Sequence, residues 1–316
     1  MVKWKNPINK IKLHEVNYAT DKTVSYSQYA TWRACNYQWY LAYAQNNAVY
    51  SQSIHTVFGT AIHNTLQYYI DYIFNISGKK ADELDLESYF KTQLTEEYKR
   101  GLVQNKNQQY STPDELREFY EDGCEIIKAF KKDRVKWFGL RGWRLIGCEV
   151  PIIYPIAEKS NLFMKGYIDL VLYDEKYEQY YIYDIKTSTR GWGDKEKKNQ
   201  TKMQQILLYK KFYSELYGVD KDKIHVEFIV VKRKVWNSPD FIVPRTQTVT
   251  PASGKTKMKQ TENDFQQFLN ECFTNDGKYI FDKEYPMNIS KDTCTWCPFS
   301  TNGLCNKGEK KVTFFA

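Results

Sequence analysis

The sequence predicts an α/β fold, and three observations support it. Apolar residues recur at helical spacing up to about residue 138, shorten to strand period from Trp143, and then alternate between the two. No internal repeat, long Gly/Ser linker or Pro-rich tract interrupts the chain, so one composite globule is expected. Hydrophobic residues form 42% of the 316 and aromatics 16%, which supplies a core and excludes a disordered chain.

In order, residues 25–43 read as a helix with Ser27 near its cap, and residues 60–74 as a second helix behind Gly59, with His63 in its first turns. A third helix, over residues 114–138, carries Leu116, Phe119, Tyr120, Ile126, Ile127 and Phe130 at helical spacing, with Pro113 beside its start. From Trp143 the runs RLIGCEVPIIY, LFMKGYIDLVLY and YYIYDIK read as three strands of a meander, rich in Ile, Val, Leu and Tyr and broken by turn residues. After a Gly/Lys-rich loop, residues 199–217 read as helix, 224–231 as strand and 262–273 as a last helix before a cysteine-bearing tail. The expected organisation is a helical region over 1–142, a core over 143–250 and a C-terminal helix and tail over 251–316.

Lys and Arg outnumber Asp and Glu by 46 to 38, a net charge of +8 that fits a polyanionic partner. The excess is uneven. Lys128, Lys131, Lys132, Arg134, Lys136, Arg141 and Arg144 stand against the single acid Asp133, and Lys195, Lys197, Lys198 and Lys202 cluster further on. Each cluster taken alone reads as a solvated helix face. No uncharged apolar run approaches the ~20 residues of a membrane-spanning helix, and the N-terminus lacks the apolar core of a secretory signal, so a soluble, cytoplasmic protein without a membrane partner is expected.

The chemistry concentrates in the third strand. Asp184 and Lys186 are two apart, and side chains alternate faces along a strand, so carboxylate and amine project from the same side. One strand earlier Asp169 sits among apolar residues in GYIDLVLY, so adjacent strands could bring two carboxylates to one point. Two such carboxylates repel unless a divalent cation neutralises them. Mg²⁺ or Mn²⁺ there would polarise a phosphoryl oxygen and lower the pKa of a bound water, with Lys186 orienting that water or stabilising developing charge. A D-x-K triplet alone is common, and the apolar setting of Asp169 is what raises its interest.

Four local patterns then agree in order: FGTAIH with His63, GYID with Asp169, YDIKTS with Asp184 and Lys186, and QILLY with Gln205 and Tyr209. Across most of its length the chain resembles the RecB-like branch of the PD-(D/E)XK nuclease superfamily. That resemblance implies a restriction-endonuclease-like core, a central mixed sheet flanked by helices, with an added N-terminal helical region. It makes His63, Asp169 and Asp184 metal ligands, completed by the backbone carbonyl of Ile185, and Lys186 the catalytic lysine. Gln205 and Tyr209 would position the site or DNA, and Glu149 in GCEVPIIY would support it. Taken alone, His63 reads as a structural histidine, and Gln205 and Tyr209, one turn apart, as residues packing on the sheet.

Seven cysteines, an odd number without an export signal, argue against a disulfide framework and for metal ligation. Cys294, Cys297 and Cys305 stand at C-x₂-C-x₇-C, a spacing from which thiolates converge on one metal centre, and a fourth ligand is needed. The RecB-like nucleases with an iron–sulfur staple, similar to the AddB nuclease domain and CRISPR-associated RecB-like exonucleases, place one cysteine near the N-terminus and three near the C-terminus. The S-x-S and aromatic surroundings of Cys35 look like theirs, which makes Cys35 the fourth ligand of an implied structural [4Fe–4S] cluster. Asn36 stands where a proline often follows the first cysteine, and the seven-residue spacer is longer than the common one. A Cys₄ zinc site remains the competing reading, since ligand type alone does not separate the metals. Cys124, Cys148 and Cys272 lie in apolar patterns and read as core thiols.

The function expected is a Mg²⁺- or Mn²⁺-dependent deoxyribonuclease, an exonuclease on DNA ends or single strands in recombination or repair, in a bacterial or phage-infected cell. Trp32, Trp39, Trp192 and Trp236 are candidate stacking platforms for unpaired bases, with core packing as the alternative. No G-x-x-x-x-G-K-[ST] loop is present, so coupling to unwinding calls for a helicase partner. Two alternatives stay open: a catalytically idle, metal-stapled DNA-binding module, and a nuclease subunit active only with a helicase or annealing partner.

Overall fold

The computed structural model describes residues 6–48, 52–138, 142–236, 243–295, 297–300 and 303–305. Its elements in chain order are β1 (Lys22–Val24), α1 (Tyr26–Ala34), α2 (Asn36–Trp39), α3 (Ile54–Asn75), α4 (Gly78–Asp82), α5 (Leu86–Gln104), α6 (Pro113–Asp133), β2 (Trp143–Pro155), β3 (Leu162–Asp174), β4 (Gln179–Ser188), α7 (Asp194–Lys197), α8 (Gln200–Tyr217), β5 (Ile224–Lys232), β6 (Thr246–Val249), α9 (Lys255–Cys272) and α10 (Lys291–Cys294). Contacts group them into two compact units, one of Met1–Lys12, Gln52–Ile152 and Tyr167–Gly254, the other of Leu13–Ser51, Ile153–Gly166 and Lys255–Ala316.

In the first unit β2 and β4 both pair with β3, as a meander requires. The β3–β4 and β5–β6 pairs are antiparallel and β4–β5 is parallel, so the sheet is mixed. Strand β4 reads IYDIK with Ile182, Tyr183, Asp184 and Ile185 all buried, as a strand covered on both faces must be. Helix α3 lays Val57, Phe58, Ala61, Ile62, Leu66, Tyr69 and Ile70 into a core shared with Leu170, Leu172, Ile185, Ile229 and Val231 of the sheet. Each Val, Leu, Ile or Phe among them contributes roughly 1.5–3 kcal/mol of burial, far more than any surface pair, and this fixes which face of α3 looks inward.

Helix ends follow local chemistry. The Ser53 hydroxyl accepts the Thr56 N–H, so α3 begins six residues before the expected Thr60 and Gly59 lies inside it. A full Thr112/Glu115 capping box with Pro113 in the first turn starts α6 where its pattern predicts. Gly218, left-handed at φ 66°, closes α8. Helix α5, capped by Asp85, and the four-residue strand β6 carry patterns too weak for the sequence to announce.

In the second unit β1 pairs in parallel with the start of β3, Lys22–Val24 beside Leu162–Met164. Ser25, extended and accepting the Gln28 N–H, caps α1, so Ser27 already lies within the helix. The helical run breaks at Cys35, which is extended at φ −160° and ψ 115°, while the Asn36 amide donates to the Trp32 carbonyl and closes the end of α1. Trp32 is 5% exposed and Trp39 fully buried, so neither can stack on a base. They serve the core: Trp32 lies 5.4 Å from Phe268, and Trp39 meets Phe268, Phe273 and Tyr279 edge-on at 5.6–5.9 Å. Among the described residues no helix is long and apolar enough to cross a membrane.

Candidate active site

The β3–β4 ladder runs to Leu170–Tyr183, leaving Asp169 and Asp184 where the two strands part. There the Ile185 N–H donates to the Asp169 Oδ2 at 2.7 Å, so the carboxylate takes a donor at the ladder's end. On the other edge of β4, Asp184 pairs with Phe228 and Lys186 with Val230 of β5, which holds the strand straight through the site. Lys186 shares the Asp184 face and sets its Nζ 2.7 Å from Oδ2, with Lys186 31% exposed and Asp184 only 1%. Lys186 approaches Oδ2 as an ion pair rather than an aligned hydrogen bond, and neither Asp184 oxygen has a hydrogen-bond partner among the described residues. From α3, His63 Nδ1 reaches to 3.5 Å from Asp169 Oδ2.

Burial dominates the electrostatics. It pushes the carboxyls of Asp169 and Asp184 up to about 6, against the opposing pull of Lys186 on both and of the Ile185 N–H on Asp169. The His63 imidazole is held below its ordinary value by burial and then by the Lys186 charge, so at neutral pH its ring is uncharged. Tyr209 on α8 is buried, and burial together with the charges of Asp184, Asp169 and Glu149 drives its hydroxyl well above the usual phenol range. It stays a proton donor, with Gln205 Nε2 one turn earlier at 3.4 Å from its oxygen.

A buried carboxylate without a hydrogen-bond partner and a second carboxylate at the strand parting are the oxygen donors hard divalent cations accept, and an uncharged imidazole beside them adds no repulsion. The residues therefore fit such an ion, although as the side chains stand no three His, Cys, Asp or Glu among the described residues form a closed metal-holding group. One residue escaped the sequence reading. Gln67, one turn after His63 on the same face of α3, donates from its amide to Glu149 Oε1 at 2.7 Å and to the Asp169 carbonyl at 3.1 Å. The i, i+4 spacing from His63 was the signal that could have found it.

Residues 23–305 match the family model of the PD-(D/E)XK nuclease superfamily. The chain belongs to that superfamily. No curated protein matches its sequence. Among solved structures it is similar to a "putative exonuclease" from Eubacterium rectale, at 12% identity and a TM-score of 0.48, over 95% of this chain and 91% of that one.

As in the fold expected of a PD-(D/E)XK nuclease, a central mixed sheet is flanked by helices, and Asp169, Asp184 and Lys186 sit together where β3 and β4 part. The first basic cluster is largely paired with the protein's own acidic and polar groups, mostly at the surface. Arg134 pairs with Asp82 and Tyr69, Lys136 with Asp133, Lys128 with Glu87 and Glu125, and Arg144 with Glu175, while Lys131 holds the Asp82 carbonyl; Arg141 lies outside the described residues. The second cluster is at the surface. Lys198 is 81% exposed, and Lys202 lies over the Trp192 ring at 5.4 Å on the stretch joining β4 to α8. Trp236 is 76% exposed beyond β5.

In the other unit, Cys35, Cys294, Cys297 and Cys305 line one small cavity together with Met287 and Asn288. The Asn288 N–H points at the Cys35 sulfur at 3.4 Å. All seven cysteines are free thiols. Cys124 and Cys272 are buried core residues, and Cys148 packs partly buried against the core.

Proposed function

We propose that this PD-(D/E)XK protein is a divalent-metal-dependent deoxyribonuclease of the RecB-like branch, acting on DNA ends or single strands. The observation that carries the reading is Asp184, almost wholly buried without a hydrogen-bond partner beside Lys186 and next to Asp169. Such an arrangement costs stability, and chemistry is what it offers in return. Asp169, Asp184, His63 and the Ile185 carbonyl would hold Mg²⁺ or Mn²⁺, which supplies Lewis acidity toward a phosphoryl oxygen.

The chain's own groups do the rest. Lys186, one-third exposed and fixed by its ion pair, directs a positive charge to the scissile phosphate and orients the attacking water. His63 is uncharged and so does not repel a cation. Tyr209, kept protonated, offers an O–H to the phosphate or to the carboxylates, with Gln205 beside it. The exposed lysines Lys195, Lys197 and Lys198 attract the backbone without reading sequence, and Trp236 offers a face to an unpaired base.

The four-cysteine cavity supports a structural staple, because one N-terminal and three C-terminal thiols share a single small space. Their order along the chain, similar to that of the stapled RecB-like nucleases, favours a [4Fe–4S] cluster over zinc. Iron, acid-labile sulfide and zinc contents of anaerobically purified protein decide between them. For activity, end-labelled single- and double-stranded DNA is incubated with Mg²⁺, Mn²⁺ or EDTA beside Lys186→Ala. Metal-dependent degradation lost in the variant is expected. Binding without cutting by wild type under every metal overturns the reading in favour of a partner-dependent subunit, with a helicase or annealing protein, or an idle binding module.

A further inference from the structure

Glu149 is an exposed glutamate in the middle of β2 whose backbone sits at φ 51°, in the left-handed region that favours glycine. A strained position that keeps a charged side chain keeps it for what the side chain does. Left alone, an exposed glutamate samples many rotamers. Here one carboxylate oxygen is pinned by the Gln67 amide at 2.7 Å, a charge-assisted bond, and the same nitrogen reaches the Asp169 carbonyl at 3.1 Å. Gln67 is itself only 8% exposed, on the inward side of α3 and one turn beyond His63. One amide thus ties the helix carrying His63 to the strand carrying Asp169 and to the carboxylate of Glu149.

We propose that Gln67 is a positioning residue, which locks the Glu149 carboxylate and the Asp169 backbone into one frame and acts on turnover and cation binding through Glu149. The inference rests on the nuclease reading only for the turnover half. Gln67→Met keeps the side-chain size and removes the donor, Glu149→Ala removes the target, and the double variant closes a cycle.

Mn²⁺ affinity is measured by calorimetry, kcat and KM on end-labelled DNA, and melting temperature in EDTA. Gln67→Met is expected to weaken Mn²⁺ binding and lower kcat by about 10–100-fold, with KM changed less than about threefold. In the Glu149→Ala background the same substitution is expected to cost less than about threefold. Equal losses in both backgrounds, or a lowered melting temperature with Mn²⁺ binding intact, overturn the proposal. Should Gln67→Met fail to fold, Gln67→Asn, which keeps the amide but withdraws it by one methylene, is expected to give the same coupling. Coupling in Mn²⁺ binding with no cleavage by wild type would sink the nuclease reading and leave this inference standing. Cleavage with additive losses would do the reverse.

Discussion

Replacing Asp184 by Asn should make the metal-free protein more stable while removing its activity. The ordinary carboxyl value of 3.8 rises to about 6 in the fold, because burial penalises the ionised form more than Lys186 rewards it. Each pH unit between those values is worth about 1.4 kcal/mol, so keeping Asp184 ionised costs the native state about 3 kcal/mol. The sign follows from proton binding: the native state holds the proton more tightly than the unfolded chain. Stability is therefore highest below pH 3.8 as far as this group is concerned, and it falls as pH rises through about 6. Asparagine keeps the shape and removes the charge, and Lys186, 31% exposed, can hydrate once its partner is neutral.

Urea denaturation in EDTA at pH 5 and pH 8 reads the effect. The variant should gain up to about 3 kcal/mol over wild type at pH 8 and about half as much at pH 5. Adding Mn²⁺ at about 100 times its dissociation constant should restore about 2.7 kcal/mol to wild type and little to the variant. A variant less stable than wild type at pH 8 in EDTA, or a gain equal at both pH values, would refute the reasoning.

Lys186→Ala should lower cleavage by about 10²–10³-fold while DNA binding changes less than about tenfold, as quantified by single-turnover assays beside filter binding. Reversing Lys197 and Lys198 to Glu should weaken DNA binding uniformly across sequences and flatten its salt slope by about one for each phosphate no longer neutralised, whereas Lys136→Glu, whose partner is Asp133, should leave that slope unchanged. Trp39→Ala should destabilise the protein by about 3–5 kcal/mol without a selective loss of affinity for single strands, because the ring is core and not a platform. Cys35→Ser should lower bound iron and the melting temperature together if the cysteine cavity holds a cluster, and iron retained at the wild-type ratio would exclude Cys35 as a ligand.

The strands were legible because Ile, Val and Tyr alternation changes the period sharply at Trp143, and the pairing of Asp184 with Lys186 follows from that period alone. Pro113 announced α6 in the same way. What the sequence hid depends on tertiary context. Helix α5 has a weak apolar face and gains its order by packing on α3, and Ser53 caps α3 although a glycine further on looked like its start. The net positive charge fits a polyanionic partner and the basic run from Lys128 to Arg144 alone reads as a solvated helix face, but its acidic partners Asp82, Glu87 and Glu175 come from distant stretches that composition cannot place. The i, i+4 spacing puts Gln67 on the face of His63, but its role was hidden for the same reason, its two acceptors lying 82 and 102 residues away.

Those separations set the order in which the site can assemble. His63 and Gln67 leave the ribosome early, but they have nothing to hold until β2 and β3 follow, and Lys186 arrives later still on β4. Strand β4 is itself unsupported on one edge until β5, ending at Lys232, has paired with it. Closing loops of this length draws on chain entropy that only the finished sheet offsets. A polypeptide that stalls or is cut before β5 therefore lacks the strand that flanks Asp184 and Lys186, and the site is framed only when that strand has paired with β4.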